Sequence, residues 1–505
     1  MAISFNNIPD TLRVPAAYTE IDNSRALKGL VQNPHKALII GSKVGEGTLP
    51  YDTLAAISRD NLADGYFGLG SITARMCNKF KENNPNTELY AMAIGSDQTA
   101  LEASCGIDFS GARVSADGMS GTGTFYLMIN GVEIQHTVTS GESAGSMVVH
   151  YISHINENSE LPVVAAQDGV VGILYLSAVC SGLQGNYIDV RMNYYEGQST
   201  FTGHFIADSL SSLHSISMAG GTGGPTLGDA WAVIGGEQFH YIIQPFIDTA
   251  NLTQIETELE GRFDPLEDLQ GHGFACVRAS YASCTAIGNL RNSPHNTLIG
   301  MMDGPNAPEE WAAAWGAVAA WNLNNDPARP LHYLKLKGIL PAPVSSRFER
   351  SEREVLLYDG IATHVVDNGG NVLIERSITT YQTNALDVLD PSYLDIQTLA
   401  TLGEIRYQYK ARMISRFIIP RFKLADDSFP AQPGSKVARP KDVVSETIAL
   451  FTLLRDKGLI ENLDDFIENL VVERDLTDRN RVNCLLPADL INQFRILAAN
   501  IQFIL

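Results

Sequence analysis

The chain has 505 residues, 45% hydrophobic and 18% charged, with 57 acidic against 36 basic side chains and a net charge of −21. That length suggests roughly three domains, and the acidic balance argues against binding nucleic acid or an anionic membrane surface. Six cysteines without C-x-x-C spacing, the lack of a basic-then-apolar leader and the lack of any apolar run of about 18 residues predict no zinc site, disulfide framework, secretory signal or transmembrane helix, and folding in a cytosol.

Residues 1–24 read as an arm. Ile3 and Phe5 alternate, "NIPDT" turns the chain, and Leu12 and Val14 alternate again. Pro9 and Pro15 would weaken a central strand, which suits an edge or a donated segment. "KALIIG" (36–41) and "TELYAMAIG" (87–95) read as buried strands, and "SITARMCNKFKENN" (71–84) as a helix with Ile72, Met76 and Phe80 on one face. From 106 to 200 Gly/Ser turns and alternating runs predict an inserted β-rich domain. It contains a hairpin tipped by Asn130-Gly131, the strands "VGILYLSAV" and "NYIDVRMNYY", and one helix near "SAGSMVVHYISHINEN".

Strands and helices then alternate through "HSISMAGG", "FHYIIQPF", "GFACVRAS" and "TLIGMMDG", the mark of a parallel α/β sheet. The strands at 36–41 and 87–95 are expected to join it, giving an α/β domain over 25–105 and 201–340. An α+β domain over 341–485 opens with a hairpin, "EVLLYDGIATHVVDNGGNVLIERSITTY", around residues 367–370. Asp390-Pro391 is expected to cap a long helix with Leu402, Ile405, Tyr409 and Met413 as its stripe, and a second helix spans roughly Lys441 to Lys457. The segment 486–505 ends in "ILAANIQFIL", where Leu497, Ala499, Ile501, Phe503 and Leu505 alternate with their neighbours as in a half-buried strand. Such a strand either docks in its own sheet or pairs elsewhere, because an open apolar edge invites aggregation.

Chemistry is sparse. "GGTGGPTLGDA" (220–230) has Asp229-Ala230 where a phosphate loop has Lys-Ser/Thr, so a tight turn into a helix is expected. Ser217 precedes His272, the wrong order for the subtilisin triad. His150 and His154 share a helix face without a third ligand or an H-E-x-x-H glutamate, so a solvated or hydrogen-bonded pair is expected there. No catalytic residue, cofactor or metal is assigned. "EIRYQYKARMISRFIIPRFK" (404–423) holds six basic residues against one acid, whereas "IENLDDFIENLVVERDLTD" (460–478) holds seven acids and one arginine. The basic run is either a solvated face or a docking surface, and the contrast suggests head-to-tail complementarity between copies.

"ISFNNIPDTLRVPAAYTEIDNSRA", "YFGLGSITARM", "SYLDIQTLATLGEIRYQYKARM", "RFKLADDSF" and "DRNRVNCLLPADLINQFRILAANIQFIL" resemble, in order, the tail sheath proteins of Mu-like contractile-tailed bacteriophages. The resemblance is strongest after residue 390 and weakest in the insertion. It implies an α/β domain that is subtilisin-like in fold alone, and a non-enzymatic subunit stacked in six-fold helical rings around a tail tube. It also implies arms at both ends donating strands to neighbouring copies. The inter-subunit strands would then carry Ile3, Phe5, Leu12 and Val14 at one end and Leu497, Ile501, Phe503 and Leu505 at the other. Arg406, Lys410, Arg412 and Arg416 become candidates for docking on the tube. The implied partners are the chain itself, the tail tube, the baseplate and the tail terminator, without nucleic acid or membrane insertion. The implied location is the virion tail, assembled in the host cytoplasm. Two alternatives stay open: the sheath of a phage-tail-like bacteriocin or secretion device, and an α/β hydrolase or inactive protease relative.

Overall fold

The computed structural model describes residues 19, 30–59, 61–95, 99–109, 113–114, 123–139, 142–167, 171–195, 198, 205–206, 216–430, 432 and 435–504. The chain divides into two compact units, one of residues 34–403 with 492–505, the other of 1–33 with 404–491.

The larger unit is built on an eight-stranded sheet. Its order is Val372–Arg376, Ile361–Val366, Asn296–Met301, His272–Arg278, Tyr241–Ile243, Lys36–Gly41, Glu88–Ala93 and Ala55–Ala56. The six inner strands are parallel and the strand at each edge runs antiparallel. Inner strands are buried on both faces and therefore read as continuous apolar runs. In "KALIIG" the residues Ala37 and Ile39 pack with the helices Ile72–Asn83 and Pro308–Asn325. Leu38 and Ile40 pack on the opposite face with the helices Leu227–Ile234 and Thr249–Phe263. The result is a sheet with a helical layer on each side. Ser71 starts the first of these helices by accepting the Ala74 N–H at 3.2 Å. Helix Pro308–Asn325 approaches closely because position 316 is glycine: a Cβ there would lie 2.6 Å from Ile243 Cγ1.

The inserted β-rich part has its own core around Leu127, Ile129, Met147, Tyr151, Leu174 and Val190. The hairpin Gly123–Ile129 and Val132–Val138 turns at Asn130 and Gly131, both at positive φ, as the tightest hairpin turns require. Helix Ala144–Glu157 is capped by Ser143.

Four expectations are corrected. The "HSISMAGG" strand is not part of the parallel sheet: Ile216–Ser217 pairs antiparallel with Asp189–Met192 in the four-stranded sheet of the insertion. The hairpin 361–376 does not open a separate C-terminal domain, because Leu298 and Ile299 pair in parallel with Ile361 and Ala362 and extend the large sheet. The division of the chain falls instead at 403/404. "EVLLY" ends a helix, Arg350–Tyr358, held by a reciprocal Glu349/Glu352 capping box. Asp390 does not cap the long helix, which begins at Ile396; its carboxylate accepts from the Ser392 N–H at 2.9 Å and the Tyr381 hydroxyl at 2.7 Å, closing a turn instead.

In the smaller unit the helix Pro440–Asp456 packs Leu450, Phe451 and Leu454, all buried. Helix Leu463–Asn469 adds Phe466, whose ring stacks on Phe451 at 3.9 Å. Gly458 ends the longer helix at φ 73°. Short two-stranded pairings complete the unit: Lys423–Leu424 with Val437–Ala438, Ile460–Glu461 with Asp489–Leu490, and Val471–Arg474 with Val482–Leu485. No helix among the described residues is long and apolar enough to cross a membrane.

Candidate assembly surfaces

The serine and histidine that stand in the wrong order for a triad also lie in different sheets. Ser217 sits in the insertion's sheet, while His272 opens a strand of the large sheet and meets the Thr297 hydroxyl at 2.8 Å through Nε2. The helix after "GGTGGPT" begins at Leu227 and carries Asp229 in its first turn, where a carboxylate disfavours phosphate. The His150 and His154 rings lie with centroids 4.1 Å apart at a tilt of 57°, and a third imidazole joins them: His136, its centroid 3.9 Å from that of His150 and its Nε2 hydrogen-bonded to Glu142 at 2.8 Å. Burial and the neighbouring rings of His136 and His154 hold the His150 imidazole below its ordinary value. Among the described residues no group of three or more His, Cys, Asp or Glu has metal-holding geometry.

Two buried polar clusters bind the insertion to the sheet domain, and neither was visible as a motif. Arg75 donates to Glu309 at 2.6 Å and Glu310 at 2.9 Å, and Glu310 also accepts from Asn130 (2.6 Å) and Asn306 (2.9 Å). Asn130, the hairpin tip, closes the joint by accepting the Ala307 N–H at 2.7 Å. In the second cluster Arg191 and Arg278 share Asp189, Asp303 lies 3.1 Å from Arg191, and Arg278 donates to the Tyr187 carbonyl at 2.9 Å. The partners are far apart in sequence. The usable signal was a charge within an apolar stretch, as at Arg75 between Ala74 and Met76 and at Glu309-Glu310 ahead of the apolar run from Trp311.

In the smaller unit, Arg412 and Arg416 of the basic run both pair with Glu446, Arg416 at 3.3 Å. Lys410 is exposed and Arg406 half-buried. After Met413 the helix widens into a π turn, Ile414–Ile418, followed by exposed Ile418, Ile419 and Phe422 beside Arg421 and Lys423. The buried Gln408 amide grips the Val31 main chain from both sides, accepting its N–H at 2.9 Å and donating to its carbonyl at 2.6 Å. Asn33 donates to Glu404 at 3.1 Å. Ile3, Phe5, Leu12 and Val14 lie outside the described residues, as does Leu505.

The last segment, 492–504, belongs to the larger unit and carries no strand. Its alternating side chains are open to solvent, Leu497 at 80%, Ile501 at 88% and Phe503 at 77%. Arg495 ties its base to Asp395 at 2.6 Å. Beside that pair a groove of about 670 Å³ is lined by Tyr333, Leu357, Tyr358 and Leu394. The signal for Arg495 lay in the sequence: it is the single charged residue between 490 and 505.

Two family models match the chain: the phage tail sheath protein central domain over residues 220–380, and the phage tail sheath C-terminal domain over 389–504. The Mu-like prophage FluMu tail sheath protein of Haemophilus influenzae is 36% identical over 505 residues, covering both chains completely. Among solved structures, the sheath tail protein of Desulfitobacterium hafniense aligns with 95% of this chain and 97% of its own at 13% identity and a TM-score of 0.48. The contracted helical sheath of the anti-feeding prophage aligns with 97% and 99% at 10% identity and a TM-score of 0.49. On its full-length identity and on family models spanning more than half its residues, this chain belongs to the Mu-like phage tail sheath proteins.

Proposed function

We propose that this tail sheath protein polymerises in six-fold helical rings around a tail tube, and that the polymer contracts to drive the tube through a host envelope. It acts as a structural subunit, not an enzyme. Its partners are further copies of itself, the tube protein, the baseplate and the tail terminator, and it assembles in the host cytoplasm before residing in the virion tail. The sheet with helices on both faces serves as a subtilisin-like scaffold without the protease's chemistry. The arms are residues 1–24 and 486–505.

The observation that carries this reading is the end segment, where an apolar, period-2 run stands exposed from Leu497 to Ile504. A strand added to another copy's sheet would satisfy its backbone and bury its alternate side chains. A donor at each end makes the contact head-to-tail, which extends as a filament. Contraction is then a switch between two discrete packings of linked subunits.

Deleting Ile496 to Leu505 tests the reading. Sedimentation should show loss of polymer while the thermal melt of the unassembled protein stays nearly unchanged. Normal polymers from the truncated chain, or its global unfolding, would contradict strand donation.

A further inference from the structure

We infer that Asp395 is the anchor from which the C-terminal strand departs, and that it sets the register in which a second copy of this chain receives that strand. The inference rests on the proposed donation of the end segment and adds the residues that position it. Asp395 is buried immediately before the helix Ile396–Met413. Arg376 grips both of its oxygens, Nε to Oδ1 and Nη2 to Oδ2, each at 3.2 Å. Arg495 adds a third contact, Nη2 to Oδ2 at 2.6 Å, with side-chain exposures of 29% for the arginine and 12% for the aspartate. The Arg495 guanidinium is braced in turn by Gln493 Oε1, at 3.1 Å from Nε and 2.8 Å from Nη2.

The pinning stops abruptly. Ile496 lines the groove's rim but is already 84% exposed, and the side chains of Leu497, Ile501 and Phe503 stand in solvent beyond it. A planar guanidinium between a carboxylate and an amide fixes direction as well as position. The alternating run therefore starts two residues beyond a fixed point. That matters because a slip of one residue would turn Leu497, Ile501 and Phe503 to the wrong face of an acceptor sheet. Fixing the base also lowers the entropy lost when the strand is captured, which raises its effective concentration at the neighbour.

The test uses full-length Arg495→Ala and Arg495→Lys proteins, an Asp395→Asn protein, and the chain lacking residues 496–505. Arg495→Ala should raise the critical concentration for assembly by about threefold to tenfold, the range for losing a partly exposed charge-assisted pair. Arg495→Lys, which keeps the charge, should recover most of that loss, and Asp395→Asn should behave like Arg495→Ala. In the unassembled Arg495→Ala protein, chymotrypsin should cleave after Phe494 several-fold faster, with an unchanged tryptophan melt. Should Arg495→Ala assemble like the parent while the truncation abolishes assembly, the anchor is wrong and donation stands. Should the truncation assemble normally, donation fails and the anchor with it. If Arg495→Ala or Asp395→Asn does not fold, Arg495→Gln takes their place: a threefold or greater rise in its critical concentration that Arg495→Lys does not show supports the anchor, and parent-like assembly of Arg495→Gln overturns it.

Discussion

Replacing Arg75 by methionine removes the one cation shared by two buried carboxylates. Glu309 is 2% and Glu310 5% exposed, so neither can rehydrate in place. Breaking a buried pair in this way costs about 3–5 kcal/mol, because an uncompensated charge is left behind. At about 1.4 kcal/mol per tenfold that is two to three and a half decades in the unfolding equilibrium. Glu309→Gln behaves differently. It leaves Arg75 paired one-to-one with Glu310, which the amides of Asn130 and Asn306 also hold, and should cost about 1 kcal/mol or less. Urea unfolding of the unassembled protein measures both. All four tryptophans, at 231, 311, 315 and 321, lie in the larger unit, so their fluorescence reports that unit alone. A shift below about 1 kcal/mol for Arg75→Met, or equal losses for the two variants, would refute the reasoning.

Burial holds the His35 and His364 imidazoles down to about 4 in the folded chain. The unfolded chain, titrating near the ordinary value of about 6.5, takes up protons first. Stability from these histidines is therefore complete above pH 6.5 and declines as pH falls from there to about 4, up to about tenfold per pH unit for each. His364→Gln should flatten the tryptophan-monitored stability profile across that window; an unchanged slope would show that His364 is not held neutral. Reversing Arg406 and Lys410 to glutamate should leave sheath self-assembly possible but give sheaths empty of tube in electron micrographs. Normal occupancy would move tube docking elsewhere, with the exposed Ile418, Ile419 and Arg421 turn next in line.

Where local pattern and tertiary setting coincide, the sequence reads correctly. Residues 37–40 of "KALIIG" and 274–277 of "GFACVRAS" are continuously apolar because their strands are covered on both faces, and Asn130-Gly131 supplies the two positive φ angles its hairpin needs. The errors arise where a distant partner decides. Ile216–Ser217 is two residues long and is a strand only because Asp189 and Val190 lie beside it. "EVLLY" is a short apolar run of strand length, but the reciprocal cap at Glu349 and Glu352 and packing of Leu356 with Ala275, Leu298 and Ile361 make it helical. Arg75 meets Glu309 across more than two hundred residues, a pairing that no local spacing encodes. The end segment is the reverse case, since its period-2 pattern is plain while no strand among the described residues pairs with Leu497 to Ile504.

Electron microscopy of the purified chain, free of nucleotide and metal, tests the central claim most directly. The account predicts tubes with an open lumen and a repeating ring structure, built from this one polypeptide. Monodisperse particles of a single 505-residue chain at every concentration tried would contradict it.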